Sequence, residues 1–138
     1  MSHEVNRIAR LVADYTAAWN SHSPAAVAGF FAESGSIVVN AGETYTGQEG
    51  VMRLAADFFN DVPDLLLRCD GVRCSGRHVL YPWTFTGTHS ATGKPLEISG
   101  WEEWDLDESD SILFSRGWFD MRDYARQAGL DQEPEEEI

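Results

Sequence analysis

The sequence predicts an α+β fold, a cone in which a curved antiparallel sheet wraps around helices from the N-terminal half. Three observations carry this expectation. Apolar residues recur with a helical period over 5–19 and again over 51–59. Beyond Asp64 the period falls to two and holds through a run of long segments. No repeat or composition break divides the 138 residues, which suffice for one hydrophobic core.

The first helix places Val5, Ile8, Leu11, Val12, Tyr15, Ala18 and Trp19 on one stripe, and Asn20-Ser21-His22 ends it. Ser23 and Pro24 supply an N-cap and a first helical residue for a short second helix through Phe30 and Phe31. Ser34-Gly35 closes that helix, 36–39 reads as a short strand, and 40–43 as a turn. Thr46 and Glu49 have capping-box spacing and open a third helix, which Val62-Pro63-Asp64 stops. Long strands are expected at 65–74, 78–89, 94–106 and 112–121. Pro82 signals a bulge or an unpaired position within the second of them. A helical turn over 123–128 completes a single domain of residues 1–130, and 131–138 reads as an acidic, disordered tail.

Twenty-three acidic against ten basic side chains give a formal charge of −13. That balance argues against nucleic acid or an anionic membrane as partner, because both require a basic footprint. No stretch approaches the roughly 18 apolar residues of a membrane span. The first residues lack a secretory pattern, so a cytoplasmic location is expected. Cys69 and Cys74, five residues apart on one expected strand, should face opposite ways and stay unpaired. The histidines (His3, His22, His78, His89) show no ligand spacing, so no metal is expected.

Strand parity sorts the candidates for a pocket inside the cone. Tyr81, Trp83, Phe85 and His89 share one face of the second long strand, with Thr84, Thr86 and Thr88 on the other. On the third, Ser99, Trp101 and Glu103 alternate with Ile98, Gly100, Glu102 and Trp104; on the fourth, Arg116, Trp118 and Asp120 alternate with Ser115, Gly117 and Phe119. Asp120, between Phe119 and Met121, is the candidate acid/base residue. An apolar setting would raise its pKa and let it take a proton from carbon and return it. The alternative is that Asp120 caps the following turn or pairs with Arg122 or Arg126. His89 is either a proton donor at the pocket rim or an exposed strand-end side chain. Tyr15 could aim its hydroxyl inward. Trp19, Phe30, Trp83, Phe85, Ser99, Trp101 and Trp118 are the candidate walls for a small hydrophobic or aromatic ligand. Glu102-Glu103 reads as alternating exposure with one carboxylate turned inward, and no catalytic role is assigned to it.

Several short motifs carry a resemblance in their order and spacing. They are Ala17-Ala18-Trp19-Asn20, Tyr45-Thr46-Gly47, Val62-Pro63-Asp64, Gly87-Thr88-His89, Thr92-Gly93-Lys94, Trp118-Phe119-Asp120 and Gln127-Ala128-Gly129. Together they resemble the SnoaL-like polyketide (ester) cyclases of the nuclear transport factor 2-like superfamily. The resemblance implies that Asp120 matches the family's acid/base aspartate. It also implies an intramolecular aldol closure on a hydrophobic, ring-containing carbonyl compound, with no cofactor, in a homodimer joined through the outer sheet face. The family's pocket histidine falls at Ser99 here. Ketosteroid isomerase shares Tyr15, but its base and second acid fall near Val39 and Gly100. The Asp-Arg-Asp face of limonene epoxide hydrolase is held by Ser99 and Trp101. Both activities are therefore disfavoured, while ligand binding without turnover and a dimeric scaffold stay open.

Overall fold

The computed structural model describes residues 3–131, with side chains from Val5 onward. The elements run α1 (His3–Asn20), α2 (Pro24–Ala28), β1 (Phe31–Val39), β2 (Thr44–Thr46), α3 (Gly47–Asp61), β3 (Leu66–Cys69), β4 (Arg73–Ser75), β5 (His78–Thr88), β6 (Pro95–Leu106), β7 (Ile112–Phe119) and α4 (Met121–Ala128). The acidic tail expected at 131–138 lies outside the described residues except for Asp131.

One seven-stranded sheet runs in the order β2-β1-β7-β6-β5-β3, with β4 also paired to β5. Its joins are antiparallel apart from β1–β7, which is parallel. That parallel join was not expected. It arises because the N-terminal part of the chain contributes two strands, β1 and β2, beyond the run that begins after Asp64.

Four local expectations change, each for a visible reason. Ser34-Gly35 does not end a helix but lies inside β1, at the register shift between Phe31 and Ser36. A Cβ on Gly35 would sit 2.6 Å from the Ile112 carbonyl oxygen, so glycine permits the close approach of β7. Thr46 occupies the N-cap position of α3 without a side-chain capping bond, because it is the last residue of β2. The strand expected at 65–74 is broken into β3 and β4. The Pro82 carbonyl accepts from Asp70 N–H at 2.8 Å, and Gly71 takes φ +134°. Pro82 has no N–H to offer on that side, and the partner strand parts there. Cys69 and Cys74 thus stand opposite Trp83 and Val79, on one face rather than two. Four residues of β5 separate their partners, about 13 Å at ~3.3 Å per residue, and both thiols are free.

The concave face of the sheet holds the core. α1 lays Ile8, Val12, Tyr15 and Trp19 against it, and α3 adds Val51, Leu54 and Ala55, all buried. β5 presents Val79, Tyr81, Trp83 and Phe85, as the parity reading expects. α4 is fixed at both ends: Asp120 caps its start, and Gly129 ends it in the left-handed conformation, φ +76°. Among the described residues no helix is long and apolar enough to cross a membrane.

Candidate active site

Three cross-strand rows build the floor of a cavity on the concave face. The first is Val79–Trp104–Ser115–Ile37, the second Tyr81–Glu102–Gly117–Val39, and the third Trp83–Gly100–Phe119. α1 contributes Trp19 as a wall and α3 contributes Leu54 and Phe58. The cavity is about 50 Å³ and is open to solvent on one side. Its lining is apolar and rich in rings, with Glu102 the sole ionisable side chain in it.

Gly117 explains why there is space at all. It stands opposite Glu102 on β7, and a Cβ there would meet nothing closer than 3.5 Å. The missing side chain leaves the volume over the carboxyl group open. Gly100 acts in the opposite sense. Its inward face is covered by the ring of Trp83, which a Cβ would strike at 2.7 and 2.8 Å. Trp83 is held there by stacking on Phe85, ring centres 5.9 Å apart.

Glu102 is buried, at 8% exposure, and is the centre of the polar floor. Its Oε1 accepts from the Tyr15 hydroxyl at 3.0 Å, the Trp104 indole N–H at 2.8 Å and the Ser115 hydroxyl at 2.9 Å. Its Oε2 receives only the longer branch of the Tyr15 bond, 3.2 Å. One oxygen is therefore saturated, and the other keeps free acceptor capacity. Burial pushes the Glu102 pKa up, and the bonds from Trp104, Ser115 and Tyr15 oppose part of that rise. Tyr15 is raised well above the ordinary phenol range, by burial first and then by the Glu102 charge, so it stays a hydroxyl and a donor. The Trp19 indole N–H is buried and makes no hydrogen bond among the described residues. It lies close enough to the Tyr15 hydroxyl to offset part of that rise, without a well-formed bond.

Of the residues predicted from sequence, Trp19, Trp83, Phe85 and Trp118 border the cavity, and Tyr15 stands behind it through Glu102. The others lie elsewhere. Asp120 is exposed, and its carboxylate accepts from the backbone N–H groups of Arg122 and Asp123 at 3.0 and 3.1 Å. It is the N-cap of α4, and the apolar setting expected around it is absent. His89 is buried at the end of β5, edge-on to Tyr124, and its Nδ1 accepts from Ala91 N–H at 3.2 Å. It does not border the cavity. Phe30 is half-buried behind Tyr15, ring centres 5.6 Å apart. Ser99 and Trp101 are on the convex face of β6, where the Ser99 hydroxyl meets Thr84 Oγ1 at 2.7 Å. The β6 face that looks inward is the other one: Ile98, Gly100, Glu102 and Trp104. The register of Glu102 opposite Tyr81, an inward residue of β5, is the signal that would have found it. No group of three or more His, Cys, Asp or Glu side chains among the described residues is placed to hold a metal ion.

Similar structures share this architecture. A hypothetical protein of Catenulispora acidiphila with a ketosteroid isomerase-like fold, solved in complex with trimethylamine, superposes with a TM-score of 0.80 at 22% identity. The match covers 89% of this chain and 96% of that one. SalBIII, an epoxide hydrolase/cyclase-like enzyme of pyran ring formation in the polyether salinomycin, matches with a TM-score of 0.76 at 16% identity, over 89% and 97% of the two chains. A protein of Jannaschia sp. CCS1, provisionally assigned as a SnoaL-like polyketide cyclase, gives 0.72 at 12% identity over 83% and 88%. At these identities the likeness establishes the ketosteroid isomerase-like, nuclear transport factor 2-like fold. No curated protein matches the sequence. The model of the SnoaL-like domain, by contrast, matches residues 12–113, well over half of the sequence, and the chain belongs to that family.

Proposed function

We propose that the chain binds a hydrophobic carbonyl compound in this cavity and moves a proton from and to it with Glu102. Glu102 then takes the part that the family resemblance gave to Asp120. A single observation carries the reading. Glu102 is a buried carboxyl group in the wall of an apolar cavity, with one oxygen saturated by three donors and the other holding only the longer branch of the Tyr15 bond.

The chemistry follows from that asymmetry. As a carboxylate of raised pKa, Glu102 is a stronger base than an exposed one, and its free Oε2 takes the proton from a carbon alpha to the carbonyl. The enolate oxygen receives the Trp19 N–H, which makes no well-formed bond among the described residues and turns to it from beside the Tyr15 hydroxyl. In a cyclase-type aldol closure the enolate carbon then bonds to a second carbonyl carbon. The alkoxide so formed takes the proton back from Glu102. One C–H bond and the π bond of the second carbonyl break, one C–C and one O–H bond form, and the carboxylate is restored. Tyr15, Trp104 and Ser115 hold the carboxyl group in position throughout.

The convex face of the sheet supports the homodimer expected from the resemblance. Trp101 and Trp118 are cross-strand partners there, 37% and 50% exposed, and Leu80 is exposed on the same face. Rings of this size in the open favour a covered surface.

Exchange of alpha protons for deuterium in small ketones such as butanone, followed by NMR, tests the proposal. The wild-type protein should accelerate exchange, and Glu102→Gln should remove roughly 10²–10⁴-fold of that rate while ligand still binds. Asp120→Asn should leave it intact. Binding without any exchange in the wild type would support the rival reading, a ligand-binding protein without turnover, which the lone ionisable side chain of the cavity also accommodates.

A further inference from the structure

The size of the cavity narrows the substrate class, given the proposed reading of Glu102 on which this inference rests. The ring count alone leaves open both a small hydrophobic ligand and an aromatic one. Two cross-strand glycines set the actual volume. Gly117 opens the space above Glu102, and Gly100 allows Trp83 to lie across β6 and close that space one row away. Trp83 is 8% exposed and is wedged among Phe85, Phe119 and the Gly100 backbone, ring centres 5.9 and 6.1 Å from the two phenylalanines. It is a fixed wall, not a side chain resting at a mouth.

What remains is about 50 Å³. At roughly 10–15 Å³ for each water-sized group, that holds about three to five heavy atoms. An apolar cavity of about 150 Å³ is the size that takes up benzene. The space beside Glu102 is therefore about a third of what one aromatic ring needs.

We propose that the part of the substrate enclosed beside Glu102 is a short acyclic carbonyl group, of the size of a propanone or butanone unit. Trp83 is the residue that excludes fused rings from it. The occupant is either a small free ketone or the short acyl end of a longer molecule whose remainder passes out through the open side of the cavity. The chemistry at the carboxyl group is the same in both.

Titrations of the full chain with butanone, 2-decanone and 2-acetylnaphthalene, read by amide and indole N–H chemical shifts, test this. Wild-type protein should show shifts at Trp19 and Glu102 with butanone and none there with 2-acetylnaphthalene. Response to 2-decanone in addition identifies the acyl-end source, and response to butanone alone the free ketone. Trp83→Leu should bring the naphthyl ketone into the site, with at least about a tenfold gain in its affinity, the equivalent of about 1.4 kcal/mol. Gly117→Val should abolish the butanone shifts. Gly117→Ala, which meets no atom closer than 3.5 Å, should weaken them in a folded protein and keeps the test informative where Trp83→Leu fails to fold. Wild-type protein that takes 2-acetylnaphthalene beside Glu102 as tightly as Trp83→Leu does would overturn the inference. Loss of proton exchange with the size pattern intact would overturn the acid/base reading alone. Exchange in naphthyl ketones by the wild type would overturn the size inference alone.

Discussion

Replacing Glu102 by glutamine gives the sharpest physical test of how this carboxyl group is held. The side chains are nearly isosteric, and the amide oxygen can accept the three bonds that Tyr15, Trp104 and Ser115 now give to Oε1. The variant keeps the network and loses only the ability to ionise. Burial raises the Glu102 pKa in the folded protein, whereas the unfolded chain titrates near the ordinary value of about 4.3. Below that value both states hold the proton, so wild type and Glu102→Gln should differ by less than about 1 kcal/mol. As the pH rises past it, the unfolded chain releases its proton first and the folded chain retains it. Unfolding then binds fewer protons, and wild-type stability falls by up to about 1.4 kcal/mol per pH unit until the folded pKa is reached. Glutamine has no such slope. Urea unfolding of both proteins between pH 4 and pH 8 should show the variant gaining on the wild type as pH rises. Asp64, held below the usual carboxylate range by its bonds from Thr88, gives an opposite slope at acid pH, but it is common to both proteins and cancels in the difference. A stability difference that is flat with pH, or that favours wild type at pH 8, would refute the reasoning. Glu102→Ala is the contrasting control. It strands three buried donors at about 1–3 kcal/mol each, so it should lose at least about 3 kcal/mol at pH 4, and its deficit should shrink with rising pH along the same slope as for glutamine.

Three further outcomes follow from the geometry. Asp120→Ala should cost about 1 kcal/mol through the lost cap of α4, seen as faster amide exchange over 121–124, with ligand shifts at Glu102 unchanged. Gly100→Ala should lower stability by roughly 1–3 kcal/mol or more in thermal melts, because the new methyl group would lie 2.3 Å from the Trp118 carbonyl oxygen, while Gly117→Ala should stay near wild type. Arginine at both Trp101 and Trp118 should halve the mass seen by light scattering; a wild-type protein that is already monomeric would end the proposal of pairing through this face.

Much of the fold was legible because its signals are local and repeated. The α1 stripe places Ile8, Val12, Tyr15 and Trp19 on one face, and period two along β5 gives Val79, Tyr81, Trp83 and Phe85. What escaped depends on strand pairing. Ser34-Gly35 looks like a helix end until β7 approaches it, and Thr46 looks like a cap until β1 engages it as a strand. β7 is remote in sequence from Ser34-Gly35, whereas β1 directly precedes β2, and that hairpin is hard to read because β2 is only three residues long. The 65–74 segment parts at Asp70 because a proline on the adjacent strand, twelve residues on, has no N–H to give.

The site was harder to read than the fold for a related reason. A strand's alternation separates two faces, but a short window of it does not say which one looks inward. On β6 the odd face offers Ser99 and Trp101, and the even face offers Glu102 between Gly100 and Trp104. Within 99–104 each face carries a tryptophan and a glutamate, but over the whole strand Leu96, Ile98, Trp104 and Leu106 share the even face with Glu102, whereas the odd face carries Glu97, Glu103 and Asp105, so the pattern does point the even face inward. Two tertiary facts then single out Glu102 on that face. Tyr81, inward on β5, is the register partner of Glu102. Three donors from α1, β6 and β7 then converge on that one carboxyl group. A carboxyl group left alone in such a place would be strongly disfavoured, so the sequence must supply its partners elsewhere. Here they are Tyr15, eighty-seven residues upstream, and Ser115, thirteen downstream. A glutamate flanked by tryptophans in a strand, in a chain that also has a helical tyrosine to spare, is therefore a better place to look for chemistry than an aspartate at a strand's end. The strand end faces a helix that needs a cap, and Asp120 serves it.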